Sequence, residues 1–446
     1  MRAPAVSATP AVVFHRTRCH CCECGEVHEA ELQEVGGAVR LELRCPRGPR
    51  SAHVSSDAAT FRLMRERSAL PAGLHPSAKG VSWINLLEVT RECNLACPIC
   101  FAASRPGAGD HLPVEDAARM LRGLRTAGLK AVSISGGEPT LHPRLEEILR
   151  AAVRERLDTT LLSNGLRLAE DPALAHRLRR TGLGRVCLQL DTLDDEVCAR
   201  IRGDRGVDQR LRALRNVAAA RLRFGVNTTI VRDNLPEVGA ILRRAVEGGA
   251  GLGTVTFLAA GRTGRFQLPK EETVCREDVI RALVDSGEVE GLSVGHFWPF
   301  PRFAPLGLDV HPDCSVVLLL AVDRGALRPM DDYVDLAGLY RRMRAAEGAF
   351  HRAWGLVRFN LLLWRSLRLR KLLALARMTL GLLFARGRSF AVAVTIEQFL
   401  DPELQDEERI ERCTTCNVQR DGARIPGCLY QHTDPRRAPW TRVNRQ

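Results

Sequence analysis

The sequence predicts an α/β fold: a parallel sheet curling toward a barrel, preceded by a small cysteine-rich unit and followed by an α-rich region. Three observations predict it. Between Trp83 and Arg265, apolar β-branched runs alternate with amphipathic helical ones. Most of the fifteen cysteines fall in short clusters, at 19–45, 93–100 and 413–428. The remainder, from residue 266 onward, is less regular. A chain of 446 residues with 45% hydrophobic content suits two or three domains. The expected boundaries are 1–75, 82–265 and 266–446, with Pro71, Gly73, Pro76 and Gly80 marking a connector.

The expected strands are Ile84–Val89, Ala131–Ser135, Thr159–Leu162, Arg185–Leu190, Gly225–Ile230 and Thr254–Leu258. Helices are expected near 115–127, 143–155, 170–181, either 195–202 or 208–222, and 235–248. Repeated βα units with right-handed crossovers build a parallel sheet. Such sheets place ligands beyond the carboxyl ends of their strands.

The formal charge of +13 suggests nucleic acid, but the composition points elsewhere. Lysine occurs only at 79, 130, 270 and 371, so the charge is nearly all arginine, as codon bias produces. Aromatic content of 5% leaves little for base stacking, and no nucleic-acid partner is expected. The first residues hold Arg2, Pro4 and Pro10 and no apolar run of signal length. No uncharged apolar stretch reaches the ~18 residues of a spanning helix. A cytoplasmic, reducing setting is expected, where clustered cysteines bind metal rather than form disulfides.

The most informative run is Glu88-Val89-Thr90-Arg91-Glu92-Cys93-Asn94-Leu95-Ala96-Cys97-Pro98-Ile99-Cys100-Phe101. Cys93, Cys97 and Cys100 bring three thiolates round one side of an iron–sulfur cube and leave one iron without a protein ligand. Structural zinc would want a fourth ligand, and the loop offers none. Ser135-Gly136-Gly137-Glu138-Pro139-Thr140 follows directly on an expected strand, and its glycines let backbone approach a ligand. Together these motifs resemble the radical S-adenosylmethionine (SAM) superfamily. The resemblance implies a partial (β/α)6 barrel holding a [4Fe-4S] cluster whose open iron is chelated by SAM. It also implies a reduced flavodoxin- or ferredoxin-type donor, whose electron cleaves SAM to methionine and a 5′-deoxyadenosyl radical that removes a hydrogen atom. Gly136, Gly137 and Glu138 would meet the methionine moiety, and Ser163 and Asn164 the ribose or carboxylate. Gln189 and Asp191 share one face at the end of the fourth strand and are expected to line the cavity, as is Arg262 after the sixth. Cys187 and Cys198 read as core thiols. A non-catalytic iron–sulfur module is the alternative that the SAM motif argues against.

At the N-terminus, Cys19/Cys22 and Cys21/Cys24 are overlapping C-x2-C pairs, followed by Cys45. One pair plus Cys45 and a fourth ligand, His53 or a spare cysteine, would hold zinc or a rubredoxin-like iron. At the other end, Cys413, Cys416 and Cys428 supply three thiolates and Cys314 a fourth. Zinc is again the alternative, but beside a radical SAM motif an auxiliary iron–sulfur cluster is expected. With His311-Pro312-Asp313-Cys314, Glu408–Cys413 and Ile425–Tyr430, the arrangement resembles the subfamily of archaeal tetraether lipid synthase and the pterin-precursor radical SAM methylase. Val310 stands where that subfamily often has a further cysteine, so one auxiliary cluster is expected rather than two.

Residues 348–396 contain no Asp or Glu and nine Arg or Lys among leucine-rich runs. They read either as helices capping the barrel mouth or as an interfacial segment meeting anionic headgroups at the inner membrane face. The first expectation for the substrate is accordingly lipid-like, with hydrogen taken from an unactivated carbon and C–C bond formation as an outcome. The alternative is radical methylation or maturation of a small heterocycle such as a pterin.

Overall fold

In the computed structural model, the described residues are 12–68, 84–299, 310–345, 389–400 and 403–430, with a few positions between 361 and 376. Most of the basic apolar stretch at 350–395 lies outside them. Among the described residues no helix is long and apolar enough to cross a membrane.

The N-terminal unit is a five-stranded antiparallel sheet in the order Leu404–Asp406, Val12–Cys21, Val27–Val35, Ala38–Cys45 and Gly48–Ser55. Alternation drives it: Leu41 and Leu43 are buried while Arg40 and Arg44 face outward. The helix Ala58–Ser68 closes one face with Phe61.

All six expected barrel strands form, as Ile84–Thr90, Ala131–Gly136, Asp158–Ser163, Arg185–Gln189, Arg223–Ile230 and Leu252–Ala259, each parallel to the next. Both alternatives for the fourth helix occur, as Asp195–Arg202 and Val207–Ala219. The sheet does not stop at six. Ser389–Gln398 adds a seventh parallel strand beyond Leu252–Ala259, and Thr415–Val418 lies parallel to the first strand at the opposite edge. Antiparallel Ser315–Asp323 then flanks the seventh, within a sheet of twelve strands.

The described strands beyond residue 266 are thus built into sheets begun earlier in the chain. They are shared between the barrel sheet and the N-terminal sheet. The reason is edge chemistry: a six-strand arc leaves two rows of unpaired backbone groups, and the late strands satisfy them. The strand at 389–398 carries a period-two pattern, Phe390, Val392, Val394 and Ile396, that could have been read from the sequence.

That period runs through the barrel. Val132, Ile134, Val186, Val226, Val255, Phe257 and Val394 are at most 1% exposed and pack under the helices. The alternate residues face the lumen and remain half-buried. Gly225 shows how the lumen is lined, since a Cβ there would meet Thr254 Oγ1 at 2.5 Å and Cys187 Sγ at 3.2 Å.

Candidate active site and metal centres

The loop bearing Cys93, Cys97 and Cys100 leaves the first strand and is clamped from two sides. On one side lies the Gly136–Glu138 turn. Gly137 N–H donates to Thr90 O and Glu138 N–H to Glu92 O, both at 2.8 Å. Gly136 has φ +135°, and a Cβ at either glycine would lie 2.2 Å from a carbonyl oxygen of the loop. Only glycine permits this approach. On the other side, Gly264 packs on Phe101 O and Cys100 O, and Arg265 donates to Cys97 O at 2.6 Å and Ser104 O at 2.7 Å. Within the loop, Glu92 accepts from the amides of Gly107 and Gly109. Sequence reasoning missed Arg265.

Glu138 is 1% exposed, and burial raises its carboxyl. One oxygen accepts from Thr140 and from Ser163 Oγ at 2.9 Å, the other from Asn164 N–H at 2.8 Å. Its carboxylate is thus engaged within the protein and sets the Ser163-Asn164 turn. Asn164 in turn donates to Asn94 Oδ1 at 2.7 Å, tying the third strand to the cysteine loop.

Gln189, on the lumen register of the fourth strand, and Asp191 just beyond its end share one partner. Asp191, 2% exposed, accepts from Arg202 Nε at 2.7 Å and Nη2 at 2.8 Å. Gln189, with its amide oxygen turned inward, accepts from the same guanidinium. Arg202 also donates to Ile99 O at 3.2 Å and Thr229 Oγ1 at 2.9 Å. It is the last residue of Asp195–Arg202, which Asp194 caps and Gly203 (φ 79°) ends. Burial raises the Cys97 thiol, and the neighbouring Arg202 charge pulls it back down. Burial pushes Cys93 up to about 12. Thiols held this high release protons when they ligate metal. Arg202 carries no signal in so arginine-rich a sequence. Arg262 is placed elsewhere, paired with Glu403 at 3.0 Å.

The C-terminal thiols are electrostatic neighbours, more loosely grouped than those of the N-terminal unit. Burial raises Cys413 well above its ordinary value, with Cys428, Cys416 and Cys314 all adding to the shift. Burial pushes Cys428 up to about 11, with Cys314 adding. Burial likewise raises Cys314, while Arg409, hydrogen-bonded to its sulfur, pulls it back. Arg409 is 7% exposed; Nη2 donates to Gln398 O at 2.8 Å, whereas Nε is buried without a partner among the described residues. An orphaned cationic N–H beside Cys314 and Cys428 fits an anionic iron–sulfur cluster. Asp313, which precedes Cys314 in the His311–Cys314 turn, accepts from Arg65 Nε at 3.0 Å and Nη2 at 2.6 Å.

In the N-terminal unit, three of five cysteines converge. The sulfurs of Cys21, Cys24 and Cys45 lie within 4.8 Å of one another, a spacing that suits one ion. Arg47 N–H donates to Cys45 Sγ at 3.4 Å. Cys24 Sγ lies 3.0 Å from His28 Nε2, in a second group with Glu26 that shares only Cys24 with the first. The expected alternative, His53, pairs with Arg40 across the sheet, outside this group. Cys19 and Cys22 also fall outside it. The strand ends at Cys21, so Cys19 points into the sheet core at 0% exposure, and Cys22 N–H reaches to Glu403 O.

A glycine-bedded cysteine triad at the carboxyl end of a parallel barrel defines a cluster- and nucleotide-binding α/β protein. More narrowly, residues 87–245 are a radical SAM domain: they match the Radical SAM superfamily. That family uses a [4Fe-4S] cluster and SAM, and its members are enzymes. The chain is 29% identical over 289 residues to 7,8-dihydro-6-hydroxymethylpterin dimethyltransferase of Methanocaldococcus jannaschii, covering 60% of this chain and 56% of the relative. It is 38% identical over 124 residues to GTP 3′,8-cyclase of a Synechococcus species, covering 27% and 35%. The chain thus spans about half the length, or less, of these curated relatives. Among solved structures, Streptococcus suis SuiB bound to S-adenosylmethionine is similar at 20% identity over 46% of each chain, with TM-score 0.40.

Proposed function

We propose that the chain is a radical SAM enzyme that takes hydrogen from a small, polar nitrogen heterocycle, in a methylation or maturation reaction. Cys93, Cys97 and Cys100 would hold the SAM-binding cluster, and Cys314, Cys413, Cys416 and Cys428 one auxiliary cluster. Cys21, Cys24 and Cys45 would hold a single zinc or iron. When bound, cluster and SAM supply the one-electron cleavage that yields the hydrogen-abstracting radical. The protein's own share is positional: the two glycine clamps fix the loop, and Arg202 ties it to the barrel.

The observation that carries the substrate class is the polarity of the lumen. Glu88, Thr160, Asn227, Thr256, Thr395 and Glu397 occupy inward positions, beside apolar Leu86, Leu162 and Leu258. An acyl chain there would strip groups such as Asn227 and Glu397 of water and return no hydrogen bond. Heterocycle edges would satisfy them. A cavity of about 590 Å³ opens between the first strand and the 415–426 hairpin, bordered by Glu88, Arg91 and Tyr430, a volume suited to a small molecule. Tyr430 donates to Glu88 at 2.9 Å on its wall. The pterin substrate named for the Methanocaldococcus relative agrees with this class. The lipid-like expectation rested on residues that mostly lie outside the described ones, and the lumen favours its alternative.

The test is anaerobic reconstitution with SAM and reductant, measuring 5′-deoxyadenosine with and without 6-hydroxymethyl-7,8-dihydropterin, GTP or a lipid extract. Heterocycle-stimulated formation with hydrogen transferred from the heterocycle is expected. Stimulation by the lipid extract alone would overturn the proposal.

A further inference from the structure

One lumen carboxyl is left unexplained by the scaffold. Glu397 is the penultimate residue of the seventh strand, half-buried and facing inward with Thr395. Thr395 shows the direction of that face by donating to Thr256 Oγ1 at 2.9 Å across the lumen wall. Among the described residues nothing hydrogen-bonds or ion-pairs with the Glu397 carboxyl. The other acids of the barrel interior are all engaged: Glu138 by Thr140, Ser163 and Asn164, Asp191 by Arg202, and Glu88 by Tyr430. An unpartnered carboxyl costs free energy when it is desolvated, a cost that a ligand can offset.

Its position is between the two cysteine groups. Glu397 is in register with Leu258, and Leu258 with Thr229, so three adjacent strands carry them in one layer. Thr229 accepts from Arg202, which reaches Ile99 O of the cysteine loop. On the far side, Gln398 N–H donates to Cys314 O at 2.9 Å, placing Glu397 next to the C-terminal thiols. Two strand spacings separate Thr229 from Glu397, about 10 Å, the length of a bicyclic ring with a short substituent.

Resting on the heterocycle reading above, we propose that Glu397 anchors the substrate by accepting two adjacent N–H groups from a 2-amino-4-oxopyrimidine edge. That edge, common to pterins and guanine, matches the two carboxylate oxygens as a charge-assisted pair of hydrogen bonds. It would hold the ring over the Thr229–Leu258 layer, with its other end toward the Cys93–Cys100 loop.

The experiment is equilibrium dialysis of anaerobically reconstituted full chain against 6-hydroxymethyl-7,8-dihydropterin and, separately, GTP. Wild type is compared with Glu397→Ala and Glu397→Gln, with iron content and SAM affinity as checks on folding. Loss of two charge-assisted bonds should weaken dihydropterin binding about 10–100-fold in the alanine variant, with Gln intermediate, at wild-type SAM affinity. Equal dihydropterin affinity in all three proteins overturns the anchor and leaves the heterocycle reading standing. Binding of GTP alone, lost in Glu397→Ala, supports the anchor and overturns the pterin source. If neither probe binds wild type, both are overturned. A variant that loses iron and SAM affinity is replaced by Glu397→Gln alone, whose unchanged affinity for the bound probe would also sink the anchor.

Discussion

Replacing Gly137 by alanine tests whether the close approach of two backbone segments is what makes the SAM site. A Cβ at residue 137 would stand 2.2 Å from Glu92 O and 2.9 Å from Arg91 O, both backbone atoms that cannot swing aside. The turn and the cysteine loop must then part by about 1 Å, an overpacking cost of ~1–3 kcal/mol. The hydrogen bonds Gly137 N–H to Thr90 O and Glu138 N–H to Glu92 O lengthen with it, at ~1 kcal/mol each. Cys93 follows Glu92 directly, so the displacement passes to the triad. A misplacement of this size costs about 100-fold in rate when reacting groups must align. Gly123→Ala serves as the control, since a Cβ there meets nothing within 4 Å and a mid-helix alanine should add about 0.5–1 kcal/mol of stability. The assay is reductant-driven 5′-deoxyadenosine formation, read beside iron content and thermal unfolding. Cleavage of SAM by Gly137→Ala at the wild-type rate and affinity would refute the reasoning.

Cys93→Ala should abolish SAM cleavage, whereas Cys428→Ala should keep some uncoupled cleavage and lose product; equal loss of cleavage in both would argue against two separate clusters. Arg409→Gln should lower the reduction potential of the auxiliary cluster, because a cation beside it favours the reduced form; a redox titration followed by electron paramagnetic resonance, at unchanged iron content, reads this directly. Asp313→Asn should destabilise the protein by about 3–5 kcal/mol at neutral pH, since it strands the largely buried Arg65. Burial opposes charging Asp313, yet Arg65 holds its carboxyl well below the usual range. The stabilisation is therefore complete above the unfolded carboxylate value and is lost as pH falls through the folded one. Denaturation curves of wild type and variant should converge on acidification; a gap that persists unchanged would exclude the ion pair as its source.

How much was legible in the sequence depended on how local the signal was. The Cys93–Cys100 and Gly136–Glu138 motifs were readable because their chemistry fixes both residue type and spacing within one loop. The six strands followed from period two. The roles of Arg202, Arg265 and Arg409 were not readable, since each acts across 100 residues or more, or through partners that only folding supplies. The two late barrel strands went unseen for different reasons. Thr415–Val418 is four residues long, and Ser389–Gln398 followed a leucine-rich run that suggested helix. The overlapping C-x2-C pairs were ambiguous until the strand end at Cys21 selected one of them.

The strand Leu404–Asp406 belongs to the N-terminal sheet, where Cys19 lies opposite Asp406 and Cys21 opposite Leu404. Ribosomal synthesis therefore cannot finish the first sheet until some four hundred residues have emerged. Until then the outer edge of Val12–Cys21 stands open, and its closure waits on the same stretch of chain that carries Cys413 and Cys416.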